Sequence, residues 1–390
     1  MEGIKDRVAI IGMGCTKFGE LWDKGVGDLI VDAAVEAFED AGISPKDIQA
    51  AWLGTRLQEM GLSLSVPLRL QYIPVTRIDN RCCSGTDAFR NACYAVAAGI
   101  YDVVLVVGVE KLKDRGLSGA ATGGAERHPV QDLGMSGGPP SMFAFRANRY
   151  FEHYGIPPQE GKEILAKIAV KNHHNGAVNP KAHFQREVSL EQVVNAPIIS
   201  WPLGLFDCCP VTDGAAAAIV CRADMAKSFR DDPIFVKALA ISAGPGDNYG
   251  RADFDLVHFE ESVRAGQAAY KEAGISHPFK QVSLAIVHDC FTITELITYE
   301  DLGFCPRGQA KDYVNSNAFT LDGELPVNTD GGLKAFGHPI GASGLRMLYE
   351  VYKQLQGKAI NQLKAPELGL THNLGGALGG WVVSVAIIGR

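Results

Sequence analysis

Apolar residues along this chain come in two textures: short unbroken runs, and longer stretches with helical spacing. Residues 8–14, 51–54, 73–78 and 102–109 are runs of the first kind and predict strands, the last buried on both faces. Residues 29–41, 89–98, 142–154 and 160–175 place apolar side chains three and four apart and predict helices, the first stopping at Gly42. Runs alternating with helical stretches predict an α/β fold. From about residue 111 to 140 glycine, proline and polar residues take over, for longer than a passive connection needs. With the two helical stretches that follow, this predicts an inserted subdomain over about 111–200, covering a site.

A core strand returns at 211–220, and after Asp231-Asp232-Pro233 the organisation starts again. A helix over 256–274 ends in Glu272-Ala273-Gly274, echoing Glu39-Asp40-Ala41-Gly42. A strand at 282–287, a helix at 292–302 and a closing strand at 381–388 follow. The expectation is two duplicated halves, 1–230 and 231–390. A chain of 390 residues exceeds one ordinary core, which agrees.

Candidate chemistry sits at the punctuation. Asp79-Asn80-Arg81-Cys82-Cys83-Ser84-Gly85 is a tight strand-to-helix turn carrying two thiols. A cysteine there faces the positive end of the helix dipole, which favours thiolate, although buried thiols also serve simply as packing. His288-Asp289-Cys290-Phe291 places a second thiol at the same kind of turn in the second half, so both sulfurs are expected near one pseudo-twofold axis. Gly331 to Gly344 is a glycine-dense loop with His338 between Gly337 and Pro339, a setting that fixes an imidazole. Residues 372–380 suggest another glycine-rich turn, with amides free for an oxyanion or simply two strands in close approach. Gly12-x-Gly14 lacks the third glycine and the following helix of a dinucleotide turn and is taken as structural.

Composition narrows the classes. A formal charge of −7 gives no reason to expect nucleic acid, and no apolar stretch is long enough to span a bilayer. Nine cysteines without CxxC or zinc-ligand spacing predict no metal site. With no secretory leader ahead of the first strand, they point to a reducing cytoplasm.

Taken together, these motifs resemble the thiolase family over the whole chain. Asn80-Arg-Cys-Cys-Ser-Gly85 is similar to its nucleophile motif and Gly337-His338-Pro339 to its histidine motif. His288-Asp-Cys-Phe291, Lys171-Asn-His-His-Asn-Gly176, Asn179-Pro180 and 208–214 resemble the sterol-carrier-protein-type branch. The resemblance implies a five-layered αβαβα fold with a loop subdomain, usually dimeric, acting on acyl-CoA with coenzyme A as co-substrate and no permanent cofactor. It implies that Cys82 accepts the acyl group, Cys290 is the acid/base, and His338 with His288 binds the thioester oxygen. The amides of Cys82 and Gly375 would form the other oxyanion hole. Asn373 stands where most thiolases carry the acid/base cysteine. Met142 and Phe143 replace a polar, histidine-containing stretch, which suits a larger acyl group.

Within the family the chain resembles benzoylsuccinyl-CoA thiolases first and archaeal acetoacetyl-CoA thiolases second. Both pair with a small zinc-ribbon/OB-fold subunit. A retro-aldolase or a non-catalytic scaffold on the same fold remains the alternative class. Arg146, Arg149 and Lys181 are candidates for the coenzyme A phosphates.

Overall fold

The computed structural model describes residues 3–115, 138–246, 254–377 and 380–390. Nine strands form the framework: β1 (Val8–Cys15), β2 (Ala50–Gly54), β3 (Val75–Ile78), β4 (Val103–Glu110), β5 (Gly214–Arg222), β6 (Ile234–Ala243), β7 (Leu284–Val287), β8 (Leu368–Ala377) and β9 (Gly380–Gly389). The main helices are α1 (Val26–Ala41), α2 (Ser84–Ala97), α3 (Pro139–His153), α4 (Pro158–Ala177), α5 (Glu260–Ala273), α6 (Thr292–Asp301) and α7 (Ser343–Gln356). No helix among the described residues is long and apolar enough to cross a membrane.

The period of two in the first-half strands sorts their side chains between two helical layers. Ala9 and Ile11 of β1, with Leu105, Val107 and Val109 of β4, pack against Leu29, Ala33 and Ala37 of α1. Val8, Ile10, Val104 and Val106 face the other way, towards Phe89, Ala92 and Val96 of α2. Helices α2 and α7 touch each other and strands of both halves, so they form the middle layer, while α5 covers β6 and β9. The architecture is mixed α/β, with helices outside and between the two halves of a nine-stranded sheet. Gly12 and Gly14 belong to this packing: a Cβ on them would lie 2.4 Å from Ala37 O and 2.0 Å from Ala33 O of α1.

Strand order explains the repeat. The two halves of the sheet meet where Ala9 pairs Phe235 and Ile10 pairs Ile234. Outward from that seam run β1-β5-β4-β2-β3 on one side and β6-β9-β8-β7 on the other, closed by a parallel bridge from Ala285 to Val327. Each pairing has the same sense on both sides, antiparallel twice and then parallel. This corrects one expectation. The turn of Cys82, between β3 and α2, has as its counterpart the His338 loop, between Val327 and α7. The Cys290 turn follows β7, the counterpart of β2. Similar local sequence suggested the wrong equivalence; hydrogen bonding between distant strands decides it.

Other differences are local. The expected strand at 211–220 starts at Gly214, and the helix at 256–274 starts at Glu260. Residues 372–377, read as a turn, are strand, paired from Leu368↔Gly389 to Ala377↔Gly380. Their glycines serve close packing rather than chain reversal. The insertion between β4 and β5 holds α3, α4 and a two-stranded ribbon of Ile198–Ser200 with Leu203–Gly204. Most of the glycine-rich stretch at 111–140 lies outside the described residues.

The middle layer generates a stability prediction. A Cβ on Gly344 would fall 2.1 Å from Thr86 Oγ1 and 2.6 Å from Thr86 N. Gly344→Ala is expected to cost about 1–3 kcal/mol of unfolding free energy. A lower urea midpoint at unchanged slope would register it; an unchanged midpoint would count against the tight crossing.

Candidate active site

The turn before α2 is built around Cys82. Arg81 takes a left-handed conformation, φ 51°. The amides of Cys83 and Ser84 bond the carbonyls of Asn80 and Arg81, both at 3.0 Å. The Ser84 hydroxyl accepts from the Asn80 amide at 2.9 Å and donates to Arg81 O at 2.5 Å. Cys83, the N-cap, is buried with its thiol at 3.1 Å from Ser384 Oγ. Cys82 is thereby left at the wall of a cavity. Strand β8 runs directly beneath, since a Cβ on Gly375 would sit 3.0 Å from Cys82 N and 2.3 Å from Asn80 O.

Two imidazoles meet this sulfur. Nε2 of His338 lies 3.1 Å from Cys82 Sγ, and its Nδ1 lies 2.7 Å from Ser343 Oγ. The Ser343 hydroxyl donates to Pro339 O at 2.9 Å, so it accepts from His338 Nδ1–H, and Nε2 offers its lone pair to the thiol. His288 is set the other way. Asn373 Nδ2 donates to His288 Nδ1 at 3.1 Å while Asn373 Oδ1 accepts from Thr86 at 3.3 Å. His288 therefore carries its proton on Nε2, as a donor. The rings stand nearly perpendicular, 5.1 Å between centroids. One neutral imidazole presents a base to the sulfur and the other presents an acid.

Cys290 lines the same cavity, its thiol 3.7 Å from Thr294 Oγ1 in the first turn of α6. Next to it, Asp289 ties the turn to the histidine loop by accepting from the amides of Leu333 at 2.6 Å and Lys334 at 3.1 Å. The cavity measures about 100 Å³ and is walled mainly by apolar groups, including Met142, Phe143, Phe291, Leu374 and Trp381. Phe143 stacks on Phe291 at 4.5 Å.

Burial sets the protonation states. It pushes the Cys82 thiol up to about 12, although Arg81 and Arg56 beside it pull the other way. It also drives His338 down to about 3, helped by Arg346 and Lys334, and holds His288 well below its usual range. Raising a thiol from 9.0 to about 12 corresponds to roughly 4 kcal/mol against the anion. A helix terminus returns about 0.3–1 kcal/mol, at most ~2. Burial therefore opposes the thiolate that the helix end alone favours.

The structure brings Cys82, Cys290, His338, His288, Met142 and Phe143 to one cavity. Asn373 is wholly buried beneath it, holding His288 rather than lining the space, and Gly375 passes under the turn. Arg146 donates to the carbonyls of Leu256 and His258, Arg149 pairs with Glu152, and Lys181 with Glu36 at 2.5 Å. Residues missed in the sequence are Arg56 and Arg81 at the cavity, Ser343 behind His338, and Glu110. The Glu110 carboxylate accepts from the amides of Arg56, Leu57 and Gly341, joining two walls. Only the serine, five residues beyond the histidine, left a local signal.

Comparison with known proteins gives this geometry a lineage. Residues 8–196 match the family model "Thiolase, N-terminal domain" and residues 249–389 match "Thiolase C-terminal domain-like". The chain belongs to the thiolase family. The acetyl-CoA acetyltransferase of Methanothermobacter thermautotrophicus is 38% identical, over 98% of this chain and 99% of that one. The benzoylsuccinyl-CoA thiolase subunit BbsB of Thauera aromatica is 32% identical over 96% of each. Among solved structures, the Ltp2-ChsH2(DUF35) aldolase superposes with a TM-score of 0.87 at 26% identity, covering 99% of this chain and 98% of that one. This thiolase is an acyl-CoA acyltransferase.

Two measurements check the site. Asn373→Ala is expected to lower kcat about 10- to 100-fold with a smaller change in KM, because His288 loses the partner that fixes its tautomer. A difference in thiolate absorbance between the wild type and Cys82→Ser should be absent at pH 7 and emerge only in strong alkali. A thiolate signal at neutral pH would show that burial does not govern this pair.

Proposed function

We propose that the chain cleaves and forms short 3-oxoacyl-CoA thioesters, acetoacetyl-CoA above all, through an acyl group carried on Cys82. Cys82 Sγ attacks the ketone carbon as its proton moves to His338 Nε2, 3.1 Å away. The bond between C2 and C3 breaks, and the electron pair collects on C2 and the thioester oxygen. His288 Nε2–H and the now protonated His338 stabilise that oxygen, and Cys290 S–H protonates C2. The Cys290 thiolate then takes the proton of an incoming coenzyme A. Its sulfur attacks the acyl group, and Cys82 leaves with the proton returned from His338. The adjacent backbones of Cys82 and Gly375 are the candidates for the second oxyanion hole.

The observation carrying the choice of substrate is the cavity of about 100 Å³. An apolar cavity of about 150 Å³ takes one benzene ring, and here the thioester must share the space. Greater identity to an acetyl-CoA acetyltransferase than to BbsB points the same way. The aromatic reading rests on the Phe143, Phe291 and Trp381 walls. A retro-aldolase has no use for Cys82 beside a base. The edge of β3, unpaired among the described residues and near exposed Met60, Leu62, Val66 and Tyr72, supports a homodimer. BbsB is named as a subunit and Ltp2 is described with ChsH2(DUF35), which supports a small zinc-ribbon/OB-fold partner here too. Nine free thiols among the described residues suit a reducing cytoplasm.

Thiolysis assays on the purified protein, alone and with its co-purifying chains, test this. Acetoacetyl-CoA should turn over at least about tenfold faster than benzoylsuccinyl-CoA; the reverse order selects the aromatic reading. Cys82→Ala should abolish both, whereas Cys290→Ala should still acylate Cys82. Normal turnover by Cys82→Ala would remove the mechanism.

A further inference from the structure

The sequence shows no metal-binding spacing, because residues 82, 288 and 338 come from three distant segments. The fold nevertheless brings a sulfur and two imidazole nitrogens within 4.8 Å of one another. We propose that Cys82, His338 and His288 form a three-ligand site for a thiophilic divalent cation, Zn²⁺ in particular, and that its occupancy reversibly shuts the enzyme.

The geometry is close to what the ion requires. Zn²⁺ binds imidazole nitrogen at about 2.0–2.1 Å and thiolate at about 2.3 Å, tetrahedrally. Two imidazoles held that way have ring centres about 5 Å apart; His288 and His338 stand at 5.1 Å, inclined by 82°. The tetrahedral sulfur–nitrogen edge is about 3.6 Å; the Cys82–His338 contact of 3.1 Å needs to part by a few tenths of an ångström, and the pairs with His288, within 4.8 Å, need to draw in to a similar distance. The fourth position opens on the cavity, where water completes the shell.

The residues behind the ligands suit the ion as well. His338 Nδ1–H already donates to Ser343, which leaves Nε2 free to bind. His288 must move its proton from Nε2 to Nδ1. Its partner allows that: turning the Asn373 amide presents Oδ1 to Nδ1–H and Nδ2 to the Thr86 hydroxyl, which can accept as well as donate. The Cys82 thiol proton passes to solvent as the sulfur–metal bond forms. The bound ion engages the nucleophile, its base and the enolate donor together, so it inhibits and assists no step.

Cobalt reports the ligands without requiring turnover, so this test does not depend on the thiolase reading. Titrating the whole protein with Co²⁺ should give one equivalent per chain, with a sulfur-to-cobalt charge-transfer band and tetrahedral visible bands. The sulfur band should vanish in Cys82→Ser and in wild-type protein alkylated at Cys82, a second route that involves no variant. The visible bands should shift in His288→Ala. Zn²⁺ at ten times its Kd should slow alkylation of Cys82 about tenfold, and EDTA should restore turnover. A sulfur band that persists after Cys82 is blocked, the lack of any band, or inhibition that EDTA does not reverse would overturn the proposal.

Discussion

The close crossing at the start of the two central helices is the constraint from which the site follows. It is closer than side chains permit. A Cβ on Gly85 would lie 2.6 Å from Gly341 O, one on Gly108 2.4 Å from the same oxygen, and one on Gly341 2.5 Å from Gly54 O. These contacts lock the His338 loop against the ends of β2 and β4 and against the Cys82 helix. With Gly375 letting β8 pass under the turn, the sulfur and the imidazole reach hydrogen-bond distance although 256 residues separate them. Interiors this dense do not stretch to absorb an added methyl group.

Packing that brings the groups together also removes their water, and that determines their chemistry. Burial works against charge on both Cys82 and His338, raising the thiol and lowering the imidazole. The same burial acts on Glu110, pushed up to about 7 while it holds the Arg56 segment and Gly341 by hydrogen bonds. Polar groups beneath the cavity pair each imidazole: Ser343, already donating to Pro339 O, fixes the His338 tautomer, and the amide of Asn373 holds His288. A bare pair of histidines would leave the roles of acid and base undecided. The Ser343 hydroxyl settles the tautomer of His338, and the Asn373 amide gives His288 its partner.

Most of the fold was legible locally. The runs at 8–14, 51–54 and 102–109 are the cores of β1, β2 and β4, because strands buried on both faces need unbroken apolar sequence. The stretch at 29–41 ends at Gly42, in the left-handed conformation that stops α1. Legibility failed at one glycine-rich stretch and at one apparent repeat. Residues 372–377 suggested a turn and are strand, since glycine marks close approach as readily as chain reversal. The resemblance between the Cys82 and Cys290 turns likewise suggested the wrong symmetry, because equivalence of segments is a property of strand order.

By itself the sequence determined the building blocks: strands and helices in α/β alternation, and the candidate residues Cys82, Cys290, His288 and His338 that the fold brings to one cavity. Short-range periodicity and turn chemistry carry that much, because they depend on neighbours along the chain. Tertiary structure alone decided which imidazole meets the Cys82 sulfur and which rests on Asn373. It also decided that burial works against a Cys82 thiolate, that Asn373 supports rather than lines the cavity, and that the Cys82 sulfur and two imidazole nitrogens lie within 4.8 Å of one another. Each of these depends on distance and on exclusion of water, and neither exists until segments far apart in the chain are packed together.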